Sequence, residues 1–242
     1  MVNIVIVMAG SGHRFKVAGY KKHKPLIDVN GKPMIQRVIE NLRPKTREYR
    51  FVFICLKNMV TLELMEIFQN EPNSYVIQLP YITEGAACTA LTSLGIMDAD
   101  EPLILAACDQ LIDIPIDDFI DYAWGYDGCI ATFKNEHLNH SFCVIKNDRV
   151  KKVVEKPPKK ISDDANIGIY WFKHSSFFHF YTEEMIDRNE RINGEFYIAP
   201  VYNEMIGDEF IVTNYNIDKE SVHLIGTPKE LDDYTKTVRN SS

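Results

Sequence analysis

Three short apolar runs, residues 3–8, 50–56 and 103–107, constrain this chain more than any other feature. Each is nearly continuous and rich in Val, Ile and Leu. That is the pattern of a strand buried on both faces rather than one with a wet side. Helical periods separate the runs. Residues 33–42 place Met34, Ile35, Val38, Ile39 and Leu42 on one face, with Pro33 suited to a first turn. Residues 61–68 read the same way, and residues 85–94, rich in Ala and Thr, read as a closely packed helix. Such alternation predicts an α/β architecture: a mainly parallel sheet with helices on both faces.

The second half reads differently. Residues 128–133, 142–146, 150–154 and 168–172 are short strand candidates, and Lys146-Asn147-Asp148-Arg149 is a hairpin turn. Pro157 to Lys160 mark a loop, and a last helix is expected over residues 229–238. No repeat, low-complexity tract or linker interrupts the chain. One domain is expected over residues 1–242, with an α/β front half (1–125) and a more β-rich back half (126–242).

Composition excludes several function classes. A net charge of −7 over 242 residues offers no basic field for nucleic acid or an anionic membrane. A polyanionic ligand would therefore need a local cationic pocket. No apolar run approaches the ~20 residues of a membrane span. The apolar start is too short for a signal peptide and lacks a basic leader. Five scattered cysteines without a C-x-x-C pair fit reduced thiols, mostly small core residues, in a cytoplasmic protein.

The pocket suggests itself at the end of the first run. There the chain reads Met8-Ala9-Gly10-Ser11-Gly12-His13-Arg14-Phe15, then Lys21-Lys22-His23-Lys24-Pro25-Leu26. Small residues after a strand let backbone N–H groups approach phosphate oxygens, and Arg14 and Lys24 add fixed positive charge. No Gly-Lys-Ser/Thr follows, so this is not a P-loop. The third glycine of a dinucleotide fingerprint is absent, and the next helix is expected to start late.

These residues, with Lys24-Pro25-Leu26-Ile27 and Gly31-Lys32-Pro33-Met34-Ile35, resemble the sugar-phosphate nucleotidyltransferase superfamily, in particular its compact surface-polysaccharide members. The resemblance implies a three-layer αβα, Rossmann-like, glycosyltransferase-A-like fold whose front half binds nucleotide and whose back half binds acceptor. It implies that Arg14 and Lys24 grip a triphosphate and that Ala9, Gly10, Ser11 and Gly12 lie against the nucleotide. Later segments follow in the family's order. Glu84-Gly85-Ala86 looks like the stretch that borders the base. Leu105 to Gln110 carries Asp109, a Mg²⁺ ligand by resemblance. An acid ending a parallel strand also suits a hard cation at the usual ligand crevice. Glu155 and Lys156 resemble the family's acceptor-binding "v-x-E-K-P", and Asn166 and Gly168 its "a-n-x-G-i-Y-x-F". Glu195 would stand on an acidic acceptor-binding strand over residues 194–200.

Two positions depart from the family. Pro200 stands where many members have Asp, and Leu224 replaces the acid that often supplies a second metal ligand. That ligand could be His223, Asp218, water or phosphate alone. The implied reaction joins a nucleoside triphosphate to a small phosphorylated acceptor, a sugar 1-phosphate or a non-sugar phosphate, with CTP ahead of UTP and dTTP. It would serve capsule or surface-polysaccharide precursor synthesis, with no nucleic acid or membrane partner; a homo-oligomer is left open. The alternative is a glycosyltransferase on the same fold. Its customary D-x-D is matched only by Asp98-Ala99-Asp100, ahead of the third run. A second rival is a nucleotide-sensing subunit without activity.

Overall fold

A computed structural model describes residues 1–240. In chain order the elements are β1 (Val2–Val7), α1 (His13–Val17), a small hairpin β2 (Asp28–Val29) and β3 (Lys32–Pro33), α2 (Met34–Leu42), β4 (Tyr49–Leu56), α3 (Leu62–Gln69), β5 (Ser74–Leu79), α4 (Ala86–Leu91), β6 (Leu103–Ala107), β7 (Gln110–Ile112) and α5 (Ile116–Ala123). There follow β8 (Gly128–Lys134), β9 (Ser141–Lys146), β10 (Arg149–Glu155), β11 (Asp164–Phe172), α6 (Ser175–Asp187), α7 (Val201–Gly207), β12 (Val212–Asn216), β13 (Val222–Leu224) and α8 (Pro228–Asn240).

The three apolar runs form the centre of a nine-stranded sheet. β6, β1, β4 and β5 lie side by side and parallel, with Ile4 opposite Phe51 on one flank and Ile104 on the other. Successive side chains leave a strand on opposite faces. Ile4 and Ile6 therefore enter one buried cluster with α2, α3 and α5, whereas Val5 enters a second with α4, α6 and α7. Helices thus cover both faces, in three layers. The five apolar residues of α2 are all buried, each contributing about 1.5–3 kcal/mol relative to exposure.

β11 joins the parallel set antiparallel to β6 and also pairs with β8 and β9. Its register shifts between Asn166 and Tyr170, where Gly168 sits at φ 99. Few side chains tolerate that conformation, and the resulting bulge re-aims the strand beside β6. The β9–β10 hairpin turns through Asn147 and Asp148, both left-handed (φ 53 and 55), as a tight two-residue turn requires.

Several expectations are corrected. Residues 194–200 do not form a strand: a single bridge joins Ile192 to Glu195, and the chain continues as a loop into α7. An extended motif without a partner strand has no ladder to hold it. Helix α1 starts directly at the glycine turn, though it spans only five residues. Pro33 stands at the N-cap of α2 rather than inside its first turn. The back half also carries two helices, α6 and α7, beyond the one expected. Among the described residues, no helix is long and apolar enough to cross a membrane.

Candidate active site

The parallel strands β1 and β6 run side by side, so their C-terminal ends open at the same edge. After β1, Met8 still donates to Ile54 at 3.0 Å, and then the chain turns through Gly10, Ser11 and Gly12. Gly12 is left-handed (φ 63), and a Cβ there would stand 3.5 Å from that of Lys24. Its carbonyl accepts from Phe15 and Lys16, which fixes the start of α1 and carries Arg14 to the rim. A cavity of about 290 Å³ opens over this turn, walled by Gly10, Ser11, Gly12, Arg14, Lys24 and Asp109. Ala9 lies beneath it, in the core. A larger cleft, about 800 Å³, opens on the other side of Arg14, with His140, Lys219 and Tyr234 on its walls.

The short 3₁₀ turn Lys24–Leu26 buries Pro25 and Leu26 and leaves Lys24 facing the cavity. Its ammonium pairs with Oδ2 of Asp109, the second residue past β6. Burial alone would push the Lys24 pKa down; the Asp109 carboxylate outweighs it and holds the pKa above its ordinary value. Lys22, two residues earlier, instead pairs with Glu63 at the surface, 2.9 Å away. The basic run therefore sends one cation inward and leaves another solvated. Asp109 is further pinned by Ile225, whose N–H donates to its carbonyl at 2.9 Å. At Gly226 a Cβ would come within 2.5 Å of Asp109 Oδ2, so only glycine lets this turn lie against the carboxylate. Burial pushes the neighbouring Cys108 thiol up to about 11, which keeps it neutral.

Glu84, Gly85 and Ala86 do not line this cavity. They are clamped to the loop that carries Glu195. Phe196 N donates to Glu84 O at 2.8 Å, and Ala87 N to Phe196 O at 3.1 Å. Gly85 is left-handed (φ 143), and a Cβ there would collide with the Phe196 backbone. Arg191 pairs with Glu84 and lies over the Phe196 ring at 4.1 Å. Neither Arg191 nor Phe196 stands out in the sequence, because only the fold brings residue 191 to residue 84.

A second polar group gathers around the end of β10. Burial pushes the Glu155 carboxyl up to about 7; Lys156 and Ser141 pull it back, and Glu195 adds to the rise. Lys156, at φ 44, donates to the Tyr197 hydroxyl at 2.6 Å and stands over its ring. Buried Asn166 donates to Ser141 and accepts from the Cys143 thiol at 3.1 Å. The bulge at Gly168 presents its carbonyl to Gln110, the residue after Asp109, at 3.5 Å. Glu155, Lys156, Asn166 and Glu195 thus gather around Ser141 and Tyr197, and none of them lines the first cavity. Sequence reasoning assigns no role to Ser141, Tyr197 or Gln110, although the latter two lie inside the motifs at 194–200 and 105–110. Of these, Gln110 could have been found as the polar residue adjoining Asp109.

His223, one candidate second metal ligand, is engaged elsewhere: its Nε2 lies 2.7 Å from Asp113 Oδ2. Among the described residues no three His, Cys, Asp or Glu side chains converge on one point. Asp98-Ala99-Asp100 precedes β6, and the Asp98 carbonyl accepts from Ser175 at the opposite end of that strand.

Residues 3–203 match the profile of the nucleotidyl transferase family. The chain belongs to that family. It is 25% identical over 191 residues to the bifunctional protein GlmU of Methanocaldococcus jannaschii, covering 78% of this chain and 44% of that one. It is 27% identical over 188 residues to the mannose-1-phosphate guanylyltransferase regulatory subunit alpha of Rattus norvegicus, covering 71% and 44%. The chain thus spans less than half the length of these two relatives. Among solved structures, the nucleoside-diphosphate-sugar pyrophosphorylase of Vibrio cholerae RC9 superposes with a TM-score of 0.83 at 26% identity, covering 96% of this chain and 99% of that one. The inositol-1-phosphate CTP transferase of T. maritima superposes with a TM-score of 0.74 at 14% identity, covering 98% and 96%. That second likeness is one of fold.

Proposed function

We propose that this chain transfers a nucleotidyl group from a nucleoside triphosphate to the phosphate of a small acceptor, a sugar 1-phosphate first among them, and releases pyrophosphate. The observation that carries the reading is Lys24 and Arg14 facing Asp109 across a glycine turn, in a protein that is otherwise net acidic. Membership of the nucleotidyl transferase family, and the likeness to a protein named a nucleoside-diphosphate-sugar pyrophosphorylase, support the same class. Among triphosphates CTP comes first, then UTP and dTTP, on the chain's compact length and its resemblance to pyrimidine-using members; a role in capsule or surface-polysaccharide precursor supply rests on the same resemblance.

In the proposed reaction, an acceptor phosphate oxygen attacks the α-phosphorus in line. A new P–O bond forms, the bond to the β-phosphate bridging oxygen breaks, and pyrophosphate leaves with the electron pair. The acceptor phosphate is already ionised at neutral pH, so no general base is needed. Backbone groups of residues 10–12 approach the triphosphate, and Arg14 and Lys24 neutralise the charge that grows on the leaving pyrophosphate. Lys156 offsets the repulsion of the incoming acceptor phosphate, while Glu155, Asn166 and Glu195 orient the acceptor and Glu84 to Ala86 border the base. Asp109 fits a magnesium ion: it is a hard oxygen donor at a strand end, with room guaranteed by Gly226. Such an ion, when bound, supplies charge neutralisation at the α-phosphate.

A purified sample incubated with each triphosphate, a panel of sugar 1-phosphates and Mg²⁺ should release pyrophosphate from at least one pairing. Silence across the panel would refute the reading. A second reading, nucleotide binding without turnover, is favoured by one observation: a relative of similar identity is named a regulatory subunit. Under it, the sample binds a triphosphate in a thermal-shift screen, yet no pyrophosphate appears.

A further inference from the structure

We infer that Ser141 and Asn166 are positioning residues: they form a buried chain of hydrogen bonds that aims and holds the Glu155 carboxylate, and Asn166 acts through that chain rather than by touching the acceptor. The inference rests on the nucleotidyl-transfer reading above, which gives Glu155 an acceptor to hold.

The family resemblance sends Asn166 to the acceptor. In the fold it is 4% exposed, and both ends of its amide are engaged inside the protein. Its Oδ1 accepts from the Cys143 thiol at 3.1 Å, and its Nδ2 donates to the Ser141 hydroxyl. Ser141 is buried as well. It stands directly opposite Glu155 in the β9–β10 register, which puts the two side chains on one face. Its hydroxyl is a hydrogen-bond partner of the Glu155 carboxylate. Donation runs in one direction along this chain. Burial keeps the Cys143 thiol protonated, so it donates to Asn166. The amide N–H then fills a lone pair of Ser141, and the single hydroxyl proton of Ser141 is left for Glu155. The Tyr170 hydroxyl, also kept protonated by burial, backs the same two residues from β11.

Two charged groups face Glu155 from outside the chain: Lys156 beside it and Glu195 on the loop before α7. Both are exposed, so they set the charge around Glu155 without fixing its orientation. Ser141 and Asn166 sit on strands, locked by burial, and a carboxylate held by such donors keeps its aim between turnovers. The plainer account is a polar seam that ties β9 to β11, which share only the pair Phe142–Ala165. The two accounts part on the ionisation of Glu155. A donor aimed at the carboxylate favours its charged form, whereas a seam that merely joins strands leaves it alone.

Protein labelled with carbon-13 at the glutamate carboxyls is titrated by NMR without substrate, the Glu155 resonance being the one lost in Glu155→Gln. In parallel, kcat/KM for the acceptor is profiled against pH. Ser141→Ala is expected to raise both midpoints by about one pH unit, the size of one lost hydrogen bond to a charged group. Asn166→Ala, which frees the Ser141 hydroxyl to turn away, should raise them by less. Ser141→Thr keeps the hydroxyl and should keep the wild-type midpoint. Ser93→Ala, which removes a buried hydroxyl bonded to Ala90 beyond α4, should leave it unmoved. Unmoved midpoints in both Ser141→Ala and Asn166→Ala would overturn the assignment, and so would an equal rise in Ser93→Ala. Shifted NMR midpoints in a protein that releases no pyrophosphate from any pairing would uphold the chain to Glu155 and strike the nucleotidyl-transfer reading. Unshifted midpoints in an active enzyme would strike the chain alone.

Discussion

Asp109 is confined on three sides: Lys24 on its Oδ2, Ile225 on its carbonyl and Gly226 against its carboxylate. Such confinement is what lets one side chain hold a charge in a fixed place. Gly226→Ala should therefore be a sharp lesion. The new Cβ would meet Oδ2 at 2.5 Å and push the carboxylate aside. An ångström of misplacement costs on the order of 100-fold in turnover, so pyrophosphate release should fall by about that factor while the Tm stays within a few degrees. Gly10 is the opposite case. Nothing lies within 4 Å of its missing Cβ, so Gly10→Ala should fold normally; calorimetric titration should nevertheless show weaker triphosphate binding, because the methyl enters the cavity wall. Glu155 gives the pH dependence. Its carboxyl sits at about 7, raised by burial from 4.5. In its proposed role the ionised form would accept a hydrogen bond from an acceptor hydroxyl, so kcat/KM for the acceptor should rise with pH through about 7 and then level, and Glu155→Gln should lose that rise. The stability sign follows from the raised value: the folded state is favoured while Glu155 is protonated and loses that advantage as pH climbs through 7. Glu155→Gln should be more stable than wild type at pH 8, by up to about 3 kcal/mol, with a much smaller gap at pH 5 by denaturant titration.

At the scale of elements, the segment at Glu84 to Ala86, proposed to border the base, is held by a neighbour rather than by its own helix. α4 has six residues and no side-chain cap; its start is tied to the loop at Phe196. Gly85→Ala adds both a left-handed strain and a collision with backbone that cannot move aside. A loss of about 3 kcal/mol is expected, read as a Tm lower by roughly 10 °C. The elements that are plain in the sequence are those with one dominant cause. β1, β4 and β6 are continuous because both faces are buried, and α2 has a clean apolar stripe. β5 and β12 are harder: β5 is an edge strand with mixed burial, and β12, Val-Thr-Asn-Tyr-Asn, is polar and takes its order from pairing with β8. α6 hides because Phe177, Phe178, Phe180 and Tyr181 surround it with aromatic rings and blur its stripe. The loop at Glu195 looks like a strand in the sequence because extended motifs look alike whether or not a partner strand stands beside them. Within the site, Arg14, Lys24 and Asp109 are legible because each ends or follows a recognisable element.

The whole molecule places the phosphate-facing chemistry where strand direction allows it. Parallel β1 and β6 deliver the glycine turn and Asp109 to one edge, β11 crosses beside them to bring Gly168 to Gln110, and α8 returns to close the turn at Gly226. A net charge of −7 gives no long-range attraction for a triphosphate, so capture depends on Arg14 and Lys24 at close quarters. The most direct measurement is pyrophosphate release by wild type and Lys24→Ala, with Mg²⁺, a triphosphate panel and sugar 1-phosphates. Wild type should release pyrophosphate only when triphosphate and acceptor are both present, and Lys24→Ala should lower the rate by on the order of 100-fold or more. A Lys24→Ala variant that turns over at the wild-type rate, or a wild type silent on every pairing, would contradict the account.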